Sequence, residues 1–119
     1  MDLNTIRALA AEQGTRTVHL KVEGFSRRID RRSAWGNPYV LHTPSDPRAR
    51  AACLLAYVRG FKDHDLEWVG QLRGEVLGCW CAPRLCHGDV LATLAAVDTI
   101  EERREVLALW VAWLEREVW

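Results

Sequence analysis

At 119 residues, with 49% hydrophobic and 27% charged side chains, the chain has the size and composition of one domain around one core, and is too apolar for a disordered polymer. Sixteen Lys and Arg offset sixteen Asp and Glu, which excludes a general electrostatic pull toward nucleic acid. No apolar run reaches the ~18 residues that cross a bilayer, and Met1 to Arg7 lack the basic-then-apolar order of a signal peptide, so a cytoplasmic protein without membrane contact is expected.

Asp2 to Gln13 has helical spacing, with Leu3, Ile6 and Ala10 on one side and Gly14 as a natural stop. Thr17 to Val22 alternates Val18, Leu20 and Val22 against Thr17, His19 and Lys21, the two-residue period of a half-buried strand. Gly24 to Asn37 has no period and reads as a long irregular loop before Pro38. Tyr39-Val40-Leu41 is expected to form a short strand. Ser45 or Asp46 then caps a helix that carries Pro47 in its first turn and runs to about Arg59, before Gly60.

Leu66 to Leu72 reads as a short helix, and Glu75 to Trp80 as a buried strand. A cysteine-rich turn follows, then helices at about His87 to Val97 and Ile100 to Val118. Strands separated by helices imply an α/β fold: a single small domain, 1–119, with a short, mostly parallel sheet flanked by helices and an extra C-terminal helix at about 100–118.

Chemistry concentrates in Cys79-Trp80-Cys81-Ala82-Pro83-Arg84-Leu85-Cys86-His87-Gly88-Asp89. Alternate side chains of an extended segment share a face, so Cys79 and Cys81 are expected to point together and Trp80 away. The turn lies where a strand hands over to a helix start, whose free N–H groups favour anions, with Gly88 at that start and Arg84 as an added cation. Cys86 or Cys79 is then the candidate nucleophile, His87 the acid/base group, and Asp89 its orienting partner or the helix cap. The plainer alternative is packed core cysteines and an ordinary first-turn histidine.

Zinc is the competing reading, with Cys79, Cys81, Cys86 and His87 as ligands. Two features count against it: C-x-C-x4-C-H is not a standard zinc spacing, and adjacent Cys86 and His87 diverge by about 100° if both are helical. Cys79 and Arg84 stand one residue too close for a C-x5-R phosphatase loop, and that chemistry is discarded.

Upstream, Ser33-Ala34-Trp35-Gly36-Asn37-Pro38-Tyr39 implies a specific turn. Gly36 permits positive φ, Asn37 before Pro38 is extended, and Trp35 either plugs the core or stacks on a flat ligand. Arg27, Arg28, Arg31 and Arg32 precede it, and guanidinium groups suit phosphate or carboxylate. Convergence of the two segments would line one pocket with Arg32, Trp35, Asn37, Arg84 and His87.

Together the R-x-x-x-WGNP turn and the L-x-CWC-x-P-x-x-CHGD-x-L segment resemble the bacterial and phage family DUF4326, over roughly Thr17 to Leu94. Tyr39 is a mild departure from a Phe frequent there. The resemblance implies where a site lies and a prokaryotic or phage setting, without implying a reaction.

The resulting expectation is a domain that binds a phosphorylated or nucleotide-type small molecule at the Cys/His/Arg turn, with the question of whether it also acts on that molecule left open. The alternatives are a zinc-stabilised adaptor module and, less favoured, a nucleic-acid-binding accessory protein using Arg27 to Arg32. A homodimer through the Trp-rich C-terminal helix is compatible with each.

Overall fold

The computed structural model describes every residue except Val40, Pro83 and Trp119. Helix α1 spans Leu3–Glu12, its first turn capped by Asp2, which accepts from the Thr5 N–H at 2.9 Å. Helix α2 spans Pro47–Arg59 between the cap Asp46 and Gly60, as its Asp-Pro start and Gly stop predict. Helix α3, Asp63–Trp68, starts before the predicted Leu66 and runs into a 3-10 turn at Val69–Leu72. Helices α4, His87–Ala96, and α5, Ile100–Val118, lie where helical spacing places them.

Three strands, β1 (Arg16–His19), β2 (Arg27–Arg28) and β3 (Val76–Cys79), form a parallel sheet in the order β1-β3-β2. The fold is mixed α/β, as expected, but two strand assignments change. β2 lies inside the segment read as an irregular loop, because two residues are too few to display a period. Tyr39 and Leu41 are outside regular structure, and Val40 between them is not among the described residues. β1 stops at His19 and leaves Val22 76% exposed, since the His19 carbonyl accepts from the Val22 and Glu23 N–H groups and turns the chain.

That turn begins the link 20–26, which carries the chain across β3 to reach β2 and is far shorter than the dozen or so residues a parallel crossover usually takes. It lies flat on the sheet at Gly78, where a Cβ would stand 2.5 Å from Leu20 Cδ2 and 2.7 Å from Phe25 Cγ. Glycine is what permits the approach. Leu77 and Cys79 point to the opposite face and join the helical core. On that face Gly88 of α4 packs on Thr17 and Ile29, again without room for a side chain.

Helix α4 is buried along nearly its whole length, between the sheet, α1, the 3-10 turn and α5. Its terminal carbonyls are held by arginines from elsewhere: Arg73 donates to Ala95 and Val97, and the buried Arg103 to Leu94 and Val97 while also bonding the Leu66 carbonyl of α3. Helix α5 covers α2 and α4 with Val106, Trp110 and Leu114. No helix among the described residues is long and apolar enough to cross a membrane.

Candidate functional site

Cys79 ends β3, and Cys86 caps α4. Cys86 is extended (φ −150°, ψ −179°), its Sγ accepts from the Gly88 N–H at 3.4 Å, and its own N–H donates to Asp89 Oδ2 at 2.9 Å. Cys86 is therefore outside the helical spiral, and the divergence expected from His87 does not arise. The Sγ atoms of Cys79 and Cys86 and the Nδ1 of His87 lie within 4.8 Å of one another, all in buried residues.

His87 is held by Ile29, whose carbonyl oxygen lies 2.6 Å from Nε2, and by the edge-on ring of Tyr57 at 5.3 Å. A carbonyl only accepts, so Nε2 carries the hydrogen and Nδ1 is left with its lone pair toward the sulfurs. Asp89 does not orient this ring. It completes the cap of α4 and faces Arg7 at 4.0 Å.

The arginine loop arrives from the other side, because β2 ends beside the end of β3. Arg28 grips Asp30 through two hydrogen bonds, of 2.7 and 2.8 Å, and the Trp80 indole N–H donates to the same carboxylate at 3.0 Å. Gly36 does not take the positive φ expected of it; glycine is needed there because it presses on the Asp30–Arg31 backbone, where a Cβ would stand 2.6 Å from both Arg31 Cα and Asp30 O. Asn37 folds its Oδ1 onto the Tyr39 N–H at 2.9 Å and directs Nδ2 toward Cys53.

The two segments enclose a cavity of about 330 Å³ at the carboxyl ends of β2 and β3, the edge where open α/β sheets take ligands. Asp30, Arg31, Arg32, Asn37, Cys79, Trp80, Cys81, Cys86 and His87 line it, together with Tyr39, Arg50 and Cys53. Four of the expected ligand-binding residues are elsewhere. Arg84 is exposed and donates to the Pro44 carbonyl. Trp35 packs against the core, its carbonyl accepting from the Tyr57 hydroxyl at 2.8 Å, and with Gly36 it lines a separate cavity. Gly88 is buried in the first turn of α4, where its N–H and that of Asp89 already bond to Cys86, so the first helical turn offers little to an anion.

Sequence reading missed Asp30, Cys53 and Arg50. Arg50 and Cys53 are three apart on α2, a spacing that puts polar groups on one helix face, and this was the available signal. Arg50 does what Arg84 was expected to do: it reaches the cavity, donates to the Leu85 and Pro44 carbonyls, and contacts Cys81.

Burial governs the electrostatics. The Cys81 thiol bonds to Cys79 and favours its thiolate, yet Cys86 and burial together push Cys79 up to about 11. Cys79 and burial in turn hold Cys81 well above the ordinary thiol range, and burial raises Cys53 and lowers His87. Raised thiols at Cys79 and Cys81 beside an imidazole whose pKa is lowered are a poor setting for an activated nucleophile.

Asp30 is the opposite case. Arg28, working against burial and aided by Trp80, holds its carboxyl down to about 2. Its folded pKa is depressed below the unfolded value of roughly 3.9, so its stabilisation is present above that value and is lost as pH falls through about 2. In urea titrations the stability gap between wild type and Asp30→Asn is expected to narrow over this window; a gap constant with pH would show that the pairing adds nothing.

A model of the family described as a domain of unknown function, DUF4326, matches residues 13–97. An uncharacterized 12.4 kDa protein from the nrdA-td intergenic region of Enterobacteria phage T4 is 31% identical over 83 residues, 65% of this chain and 73% of the phage protein. No solved structure matches. The matched span contains the whole lining of the cavity, from Asp30 to His87, and both motifs that build it: the chain belongs to the DUF4326 family.

Proposed function

We propose that this domain binds a small phosphorylated or nucleotide-type molecule in the cavity between the arginine loop and the cysteine turn. The observation that carries the reading is the charge of the lining. Arg31 donates only to backbone carbonyls, Arg50 to backbone carbonyls and the Cys81 sulfur, and the Arg32 guanidinium has no partner among the described residues, while Asp30, the lining carboxylate, is already matched by Arg28. Three cations thus face a cavity without neutralising carboxylates, a setting for charge-assisted bonds to phosphate oxygens. Trp80 and Tyr39, each half exposed at its border, offer flat surfaces for a base or other ring. The volume suits a small ligand, near the lower end of the roughly 300–1,000 Å³ of such sites.

Direct nucleic-acid binding has less support. Within Arg27 to Arg32, Arg27 is paired with Gln71 and Arg28 with Asp30, which leaves Arg31 and Arg32, and both line the cavity. Free thiols at Cys53, Cys79, Cys81 and Cys86 suit a reducing, cytoplasmic setting.

Calorimetric titration with inorganic phosphate, pyrophosphate, a nucleoside and its monophosphate tests the proposal. The monophosphate is expected to bind best and the bare nucleoside worst. Arg32→Ala removes charge-assisted bonds worth about 1.5–3 kcal/mol and lowers affinity at least about tenfold. Heat signals absent for every probe at millimolar concentration, or affinity indifferent to Arg32, would overturn the reading.

A further inference from the structure

The anion reading leaves one wall of the cavity without a task, the buried set of Cys79, Cys86 and His87. We propose that these three residues bind a single zinc ion, whose fourth coordination position opens into the cavity. Tetrahedral zinc with Zn–S near 2.3 Å and Zn–N near 2.0–2.1 Å sets its ligand atoms roughly 3.4–3.8 Å apart. The Cys79 Sγ to His87 Nδ1 separation is 4.0 Å and all three atoms lie within 4.8 Å, so closure around an ion takes movements of about 1 Å or less.

Three local features prepare this arrangement. The extended cap conformation of Cys86 lets its sulfur and the imidazole of the next residue converge. The Ile29 carbonyl fixes Nε2–H at 2.6 Å and so turns the Nδ1 lone pair to the sulfurs, the outer-shell support typical of a ligating histidine. Gly88, buried on Thr17 and Ile29, brings the start of α4 against the strand ends, so that Cys79 and His87 meet.

Two thiolates and an imidazole are a soft, compact set that suits zinc better than magnesium or calcium, and its binding releases the two thiol protons to solvent. Among the described residues no fourth His, Cys, Asp or Glu completes the group within the same distance. Cys81 touches Cys79 yet stands outside the set, and all three ligand residues also line the cavity. The fourth position is therefore left to water or to a ligand group, the pattern of zinc sites that do chemistry rather than hold a fold.

The test uses metal alone and does not depend on the anion reading. Full-length protein is stripped with a chelator, given a small excess of zinc, freed of unbound metal and analysed for zinc content. About one zinc per chain is expected for wild type and for Cys81→Ser and Cys53→Ser, and under about a tenth of that for Cys79→Ser and His87→Gln. Cobalt in place of zinc is expected to give a sulfur-to-metal charge-transfer band with tetrahedral visible bands in the wild type, unchanged in Cys81→Ser. The cobalt spectrum decides the matter even if the Cys79 variant fails to fold. No zinc on wild type would overturn the proposal, and loss of zinc in a folded Cys81→Ser would overturn its open position. Zinc uptake without any response to phosphate would sink only the anion reading, whereas phosphate binding by a protein that takes no zinc would sink only this one.

Discussion

Trp110→Ala is expected to lower the unfolding free energy by about 3–5 kcal/mol, the usual cost of emptying a buried tryptophan site. Trp110 is 1% exposed, donates to Thr93 Oγ1 at 2.8 Å, and packs edge-on against Trp113 at 5.9 Å. Thr93 still donates to the Val90 carbonyl, so no donor is stranded and the loss is mainly one of volume. Set against a total of about 5–15 kcal/mol, this is a large fraction, and melting falls by on the order of 10–20 °C. Urea melts of both proteins measure it, and a loss under about 1 kcal/mol would mean that α5 contributes little to the core. Helix α5 lies beyond the matched residues 13–97, so the prediction also says that the family core of this chain leans on a helix outside it.

Gly36→Ala is expected to cost about 1–3 kcal/mol and to disturb the cavity more than the fold. The added methyl would fall 2.6 Å from Arg31 Cα and Asp30 O, both backbone atoms that cannot rotate away. Relief requires the Asp30–Arg31 segment to move, and with it Arg32 and Asn37 on the cavity wall. Affinity for a phosphate-bearing probe therefore falls at least tenfold, about 1.4 kcal/mol. Gly24→Ala is the control, since nothing lies within 4 Å of its Cβ position. Equal behaviour of the two variants in unfolding and in probe binding would remove Gly36 from any role in shaping the site.

Helices α1 and α2 were legible because each carries its own punctuation: Asp2, Asp46 with Pro47, and Gly60 mark ends by local hydrogen bonding that any reader of the sequence can see, whereas α3 starts at Asp63, three residues before the expected Leu66. β3 was legible as an apolar run. β2 was not, because Arg27 and Arg28 are strand residues only by virtue of the β3 edge beside them, and that edge lies some fifty positions downstream. Val22 misled for the converse reason: its alternation fits a strand, but the chain must leave the sheet at His19 to cross it.

At the site, the convergence of two motifs could be anticipated, while the direction of each side chain could not. Arg84 and Arg50 illustrate the limit. Both are near the cavity in the fold, and whether a long side chain turns inward depends on which carbonyls lie within its reach. The expected divergence of Cys86 and His87 failed on one backbone angle pair, since a cap residue does not follow helical rotation.

The short crossing over Gly78 has a kinetic corollary. β1 and β2 are neighbours in sequence yet never pair with each other, so neither can register until the later strand slides between them. Assembly is then governed by the closure of one long loop rather than by local hairpins. Cys79, at the tip of that inserted strand, meets the Ile29 end of the sheet only at this closing step, and a nascent chain that has not yet emitted residue 79 possesses neither sheet nor pocket.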